Sequence, residues 1–133
     1  MSARIVSGVF LCGWLIATAS LQAHHSLAGV YDMRKEGEMS GAFVSIKLTN
    51  PHGSLTVAVK NPDGTTTEWV MTTGSATTLA QRGITKTSTG LKPGDPLTVK
   101  YLPARNGSPL GFLKSVTLAD GRVLQISAGN AND

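Results

Sequence analysis

The sequence predicts a small all-β domain with one short helix, preceded by a secretory leader. Three observations predict it. Apolar and polar residues alternate in short runs such as Val44-Ser45-Ile46-Lys47-Leu48 and Leu55 to Val59, the two-residue period of a half-buried strand. Turn signals separate these runs at Asn50-Pro51-His52-Gly53, Asn61-Pro62-Asp63-Gly64 and Leu91-Lys92-Pro93-Gly94-Asp95. One stretch, Ser75 to Gly83, carries the caps of a helix.

Residues 1–23 read as a signal peptide. Arg4 supplies the positive start, Ile5 to Ile16 the apolar stretch and Ala17 to Ala23 a small-residue exit. The apolar stretch is shorter than the about 20 residues a membrane span needs, so no stable span is expected after cleavage. Cleavage is expected after Ala23, with Ala17-Thr18-Ala19 as the alternative cut site. The one cysteine, Cys12, lies in this leader behind Leu11, where a lipoprotein cut would want a small residue. The remaining chain, 24–133, then has no thiol and suits an oxidising compartment, periplasmic or secreted. It is long enough for a single core.

The elements follow in order. Leu27 to Lys35 shows no clear period and reads as a tether or short edge segment. A first strand runs from about Met39 to Leu48, with Gly41 inside it predicting a bulge or sharp coil. Asn50-Pro51-His52-Gly53 reads as a type I turn, with Pro fixing φ at its second position. Leu55, Val57 and Val59 alternate in a second strand, and Thr65 to Met71 is a third, rich in β-formers. The helix after it has Ser75 to cap its start, Arg82 at its negative end and Gly83 for the left-handed stop. Its apolar face is small, Ala76, Leu79 and Ala80, which suits a short plug.

Leu97 to Tyr101 is a fourth strand, and Arg105-Asn106-Gly107-Ser108 a hairpin-type turn. Phe112 to Leu118 is a fifth, with Asp120-Gly121 turning into a short return over Val123 to Ile126. A polar tail is expected to fray from about Ser127. Three strands, a helix and two strands is the order of a five-stranded OB-like barrel. A small antiparallel β-sandwich is the alternative, because turn-separated strands do not by themselves fix closure.

The chain has 12 Lys+Arg against 8 Asp+Glu and a net charge of +4. The charges are interspersed, without the basic run of a nucleic-acid footprint. Neither a G-x-S-x-G elbow nor a phosphate-cradling glycine loop is present. Glu36, Glu38 and Glu68 are the carboxylates that strands could pair, a pattern that solvated strand faces also carry. No catalytic residue or reaction is assigned.

Several segments together resemble a family of small exported bacterial proteins catalogued only as a domain of unknown function. They are His24-His25-Ser26, Thr49-Asn50-Pro51-His52, Trp69 before a helix ending Arg82-Gly83, Leu91 to Asp95, and Val116 to Arg122. The resemblance spans the chain after the leader. It implies an exported β-domain beginning near the histidine pair, and it brings no activity with it.

The histidines are the chemistry-bearing candidates. Cleavage after Ala23 makes His24 the first residue, with a free α-amine beside its imidazole. That chelate plus His52 gives three nitrogen ligands, a set suited to copper, which heads the affinity order for such sites, or to another divalent metal. In ligand type only, it resembles the histidine brace of copper oxygenases and some periplasmic copper-handling proteins. His25 can replace or supplement His52, and Met33, Met39 and Met71 are soft donors for reduced copper, although methionines usually fill core gaps. The opposing reading is a solvated terminus and an exposed turn histidine, with the barrel a structural or ligand- and partner-binding module. A copper-dependent oxidase is a third reading.

Overall fold

The structure, a computed structural model, describes residues 27–127. The predicted leader and its cut sites, His24, His25 and the tail beyond Ser127 lie outside them. Six strands form: β1 (Gly37–Lys47), β2 (Ser54–Lys60), β3 (Thr66–Thr72), β4 (Pro96–Pro103), β5 (Leu110–Leu118) and β6 (Val123–Gln125). A helix, α1 (Ala76–Gln81), lies between β3 and β4.

The strands pair in the order β3-β2-β1-β4-β5-β6, and a β3–β5 pairing closes the ring. That closing ladder, Val70↔Leu110 to Thr72↔Phe112, is parallel, whereas every other named ladder is antiparallel. The result is the five-stranded OB-type barrel, with β6 added outside the ring. Closure removes most of the unpaired edges that a sandwich of the same strands would leave.

β1 belongs to both halves of the barrel. Its first part pairs with β4, Gly37↔Tyr101 to Ala42↔Pro96, and its second with β2, Ala42↔Ala58 to Lys47↔Ser54. The change of partner falls next to Gly41. A Cβ there would sit 2.5 Å from the Ala58 carbonyl oxygen and 2.7 Å from Val57 Cγ1, so only glycine lets the two backbones approach this closely. The bulge itself comes slightly later, between Phe43 and Ser45.

Inward-facing Leu55, Val57, Met71, Val99, Leu113 and Val116 fill the barrel, each almost wholly removed from water. Leu79 enters from α1 and is fully buried. The helix is set as its caps predict: Ser75 Oγ accepts from the Thr78 N–H at 3.1 Å, and Gly83 takes φ +76°. Half-buried Trp69 packs on buried Tyr101, with ring centroids 5.7 Å apart and planes tilted by 57°.

Three local expectations change. The Gly53 N–H, which would close a hydrogen-bonded type I turn on the Asn50 carbonyl, donates instead to the Gly74 carbonyl at 3.2 Å. Of the two readings of Leu27 to Lys35, the tether is overturned: 27–30 forms one helical turn, and Leu27, Tyr31 and Asp32 are buried. The short edge segment is met in part by the antiparallel bridge Tyr31↔Ala104. Ser127 is fully buried, its hydroxyl donating to the Leu113 carbonyl at 2.9 Å. The reason in the last two cases is shared. Tertiary contacts supply hydrogen-bond partners and apolar cover that local composition does not announce.

Candidate functional site

The segment 27–32 straps the outer face of the barrel where β3, β4 and β5 meet. Leu27 and Tyr31 are four residues apart and so share one side of a helical turn. Together they pack on Leu102 and Phe112, a second small core separate from the interior. Tyr31 and Phe112 meet at 5.7 Å between centroids, tilted at 47°. Phe112 is fully buried although it points away from the barrel interior that Leu113 fills. Successive strand residues face opposite ways, so the strap is what covers it.

Polar contacts pin the strap. The Asp32 N–H donates to the Pro103 carbonyl at 2.9 Å, and the Arg105 N–H to the Val30 carbonyl at 2.9 Å. Arg105 Nε reaches the Ala28 carbonyl at 2.8 Å. Tyr31 Oη donates to Thr72 Oγ1 at 2.7 Å. The Asp32 carboxylate accepts from the Arg34 backbone N–H, and Arg105, Arg34 and Lys35 lie around it. That hydrogen bond, then those cations, hold its pKa below the ordinary aspartate value against the opposing effect of desolvation.

His52 is exposed, on the connection between β1 and β2. This connection is tied down from three sides. Thr49 Oγ1 donates to the His52 carbonyl at 2.8 Å, and the Ala76 N–H donates to the Thr49 carbonyl at 3.1 Å. The Gly53 N–H donates to the Gly74 carbonyl at 3.2 Å, and the Thr73 N–H to the Gly53 carbonyl at 3.0 Å. A Cβ on Gly53 would lie 2.4 Å from the Lys47 carbonyl oxygen, so the loop sits tightly on the barrel rim.

The end of β3 therefore serves both features. Thr72 receives the strap through its side chain, and Thr73 receives the His52 loop through its backbone. Sequence reasoning missed Tyr31, Thr72 and Arg105. The Leu27/Tyr31 spacing was the available signal, but four residues are too few to establish a period.

The other candidates have structural employment. Met71 is buried in the barrel core and Met39 packs against it, while Met33 packs beside the Phe112 cluster. Glu36 is bonded to Lys114 at 2.5 Å, which lowers its pKa, and Glu38 lies 3.6 Å from Lys100. Glu36, Lys114 and Lys100 line a polar groove with Ser115, Thr117 and Gln125. Among the described residues, no group of three or more His, Cys, Asp and Glu side chains is arranged to hold a metal ion. No helix among them is long and apolar enough to cross a membrane.

Strand order, closure and the helix between β3 and β4 define a small OB-type barrel protein. A family model described as a family of unknown function (DUF6152) matches residues 14–114, from within the apolar stretch Ile5 to Ile16 into β5. The chain belongs to this family. Comparison with curated proteins and with solved structures finds no match.

Proposed function

We propose that the protein is exported to the periplasm or secreted, and binds copper through its N-terminal histidine. His24, freed by cleavage after Ala23, would supply its α-amine and imidazole, and His52 a third nitrogen. His25 would replace or supplement His52 when the terminus chelates the metal locally. Three nitrogen donors of this type favour copper over other divalent ions.

The observation that supports this reading is the sharing of the β3 end. Tyr31 holds the strap to Thr72, while Thr73 and Gly74 hold the loop that carries His52. Thr72 also pairs with Ser54, two residues beyond His52. From Leu27 back to His24 is three residues, a reach of at most about 10 Å when extended. A docked strap limits the volume the terminus must search for a partner, which a wandering tether would not.

Two measurements test the reading. Intact mass of the exported protein is expected to correspond to a chain beginning at His24. Copper titration of that protein is expected to give one site per chain, weakened by His24→Ala and by His52→Ala. A chain beginning at Ser20, or affinity unchanged by both substitutions, overturns it.

A further inference from the structure

We propose that the polar groove on the outer face of β4, β5 and β6, with Glu36 at its edge, binds a single acidic sugar residue of the uronate type. Ser115 is what points to a ligand. Asp32, Thr73, Thr89, Ser115 and Ser127 are the buried polar side chains among the described residues. Asp32 accepts from the Arg34 N–H, and Thr73, Thr89 and Ser127 donate to the carbonyls of Gly74, Lys86 and Leu113. Ser115 is 7% exposed, and no described residue bonds its hydroxyl. The hydroxyl is not sealed in, since every fully enclosed side-chain oxygen and nitrogen among the described residues has a partner; it opens into the groove. A hydroxyl drawn this far out of bulk water is costly unless something in the groove bonds it.

A bulge in β5 puts Ser115 there. Tyr101 pairs with Leu113 and Lys100 with Ser115, so Lys114 is the extra residue between them. Leu113 and Val116 both belong to the core, and the two residues between them turn to the groove together. A regular strand would have sent one of the two inside. The Lys114 carbonyl accepts from the N–H groups of Ile126 and Ser127, at 2.8 and 3.0 Å, and from Gln125 Nε2 at 3.3 Å. These bonds lock the bulge, a device that re-aims side chains beside functional sites. Gln125 Nε2 also donates to the Ser127 carbonyl at 2.6 Å. Its amide hydrogens are then committed, and Oε1 is left to accept.

The groove has a volume of about 340 Å³, at the small end of the range of about 300–1,000 Å³ for small-molecule sites, which suits one ring. Its lining mixes donors with acceptors: the ammonium groups of Lys100 and Lys114, the Ser115 hydroxyl, the Glu36 carboxylate and Gln125 Oε1. Sugar hydroxyls both donate and accept, so they can satisfy both kinds at once. An inorganic anion only accepts, and Glu36 would repel it. Val123, 60% exposed in the same lining, offers an apolar contact to the C–H face of a ring. Charge sets the acidic preference. Lys114 is bonded to Glu36 at 2.5 Å. Lys100 lies 3.6 Å from Glu38, with both side chains more than half exposed, a contact of little worth in water. Lys100 is thus the cation that can turn to a ligand carboxylate.

The test is a titration of the exported protein with sodium glucuronate, followed by amide chemical shifts in NMR. Glucose and sodium phosphate, at matched ionic strength, are the comparison arms. Glucuronate is expected to shift the amides of Lys100, Ser115 and Gln125 with a Kd on the order of 1 mM, the scale of one small ligand. Glucose is expected to bind about tenfold more weakly, as befits the loss of one charge-assisted hydrogen bond, and phosphate to leave these amides in place. Ser115→Ala is expected to raise the glucuronate Kd about three- to tenfold without lowering the unfolding temperature, because no bond within the protein is lost. Lys100→Gln, at an exposed position, is expected to bring glucuronate down to the affinity of glucose and to leave glucose unchanged. His52→Ala is expected to bind glucuronate as the wild type does, which separates this site from the copper reading. Absent shifts with glucuronate, or equal shifts with phosphate, overturn the sugar site. So does a Ser115→Ala variant that loses stability but not affinity. Equal affinity for glucose and glucuronate overturns the acidic preference.

Discussion

The Tyr31 hydroxyl lies 2.7 Å from Thr72 Oγ1, joining positions 41 residues apart. The ring beneath that hydroxyl packs on Phe112, so one side chain both covers an outer apolar face and reaches the end of β3. Tyr31→Phe keeps the ring and loses the bond, and is expected to cost about 1 kcal/mol. Tyr31→Ala also uncovers Phe112 and is expected to cost about 3–5 kcal/mol. Urea unfolding of the two variants checks the difference. Equal losses would mean that the strap's packing contributes nothing.

The interior should be far less tolerant than the β6 edge. Leu55 is 1% exposed and Val123 60%. Leu55→Ala leaves a cavity among close-packed neighbours and is expected to cost about 2–5 kcal/mol. Val123→Ala is expected to stay within about 0.5 kcal/mol of the wild type. Thermal unfolding of both, side by side, is the measurement.

Two glycines should respond with opposite sign. Gly41→Ala puts a methyl against the Ala58 carbonyl, which is backbone and cannot swing aside, and is expected to cost about 1–3 kcal/mol. Gly29 lies in the helical turn with nothing within 4 Å of a new Cβ. Gly29→Ala is expected to gain about 0.5 kcal/mol by restricting the unfolded chain. A loss at both positions in denaturant titration would contradict this account.

Stability should fall on the acid side. Asp32, Asp63 and Asp120 are lowered chiefly by hydrogen bonds from Arg34, Thr65 and Arg122, and Glu36 by its bond from Lys114. Each folded pKa lies below its unfolded value, so the unfolded chain binds more protons as pH drops. Their contribution is full above the ordinary carboxylate range, about pH 4–5, and is lost as pH falls through the lowered folded values. Asp32→Asn is expected to flatten part of that decline. An unchanged pH–stability curve for this variant would remove Asp32 from the account.

Much of the barrel was legible because its causes are local. Alternation at Leu55, Val57 and Val59 sets one face of β2 inward, and Ser75 and Gly83 bound the helix through their own backbone chemistry. The strand–helix–strand order then narrows the closed topologies. The bulge or coil expected at Gly41 falls between Phe43 and Ser45, while Gly41 lies beside the point where β1 changes partner. The strap was not legible. Its turn is too short to show a period, and its stability comes from Leu102, Phe112 and Thr72, all distant in sequence. Phe112 beside Leu113, and Leu102 beside Tyr101, break strict alternation in β5 and β4. Such adjacent apolar pairs signal a strand covered on both faces.

The sequence by itself determined the strands, the helix caps, the family and the candidate nitrogen donors, since these depend on residue type and short-range pattern. Only the tertiary structure decided where the β1–β2 loop lies and what covers the outer face of β5. It brought Tyr31 to Thr72 and Gly53 to Thr73 on one strand end. Contacts between residues tens of positions apart form only after the barrel closes, and no local pattern encodes which of them will meet.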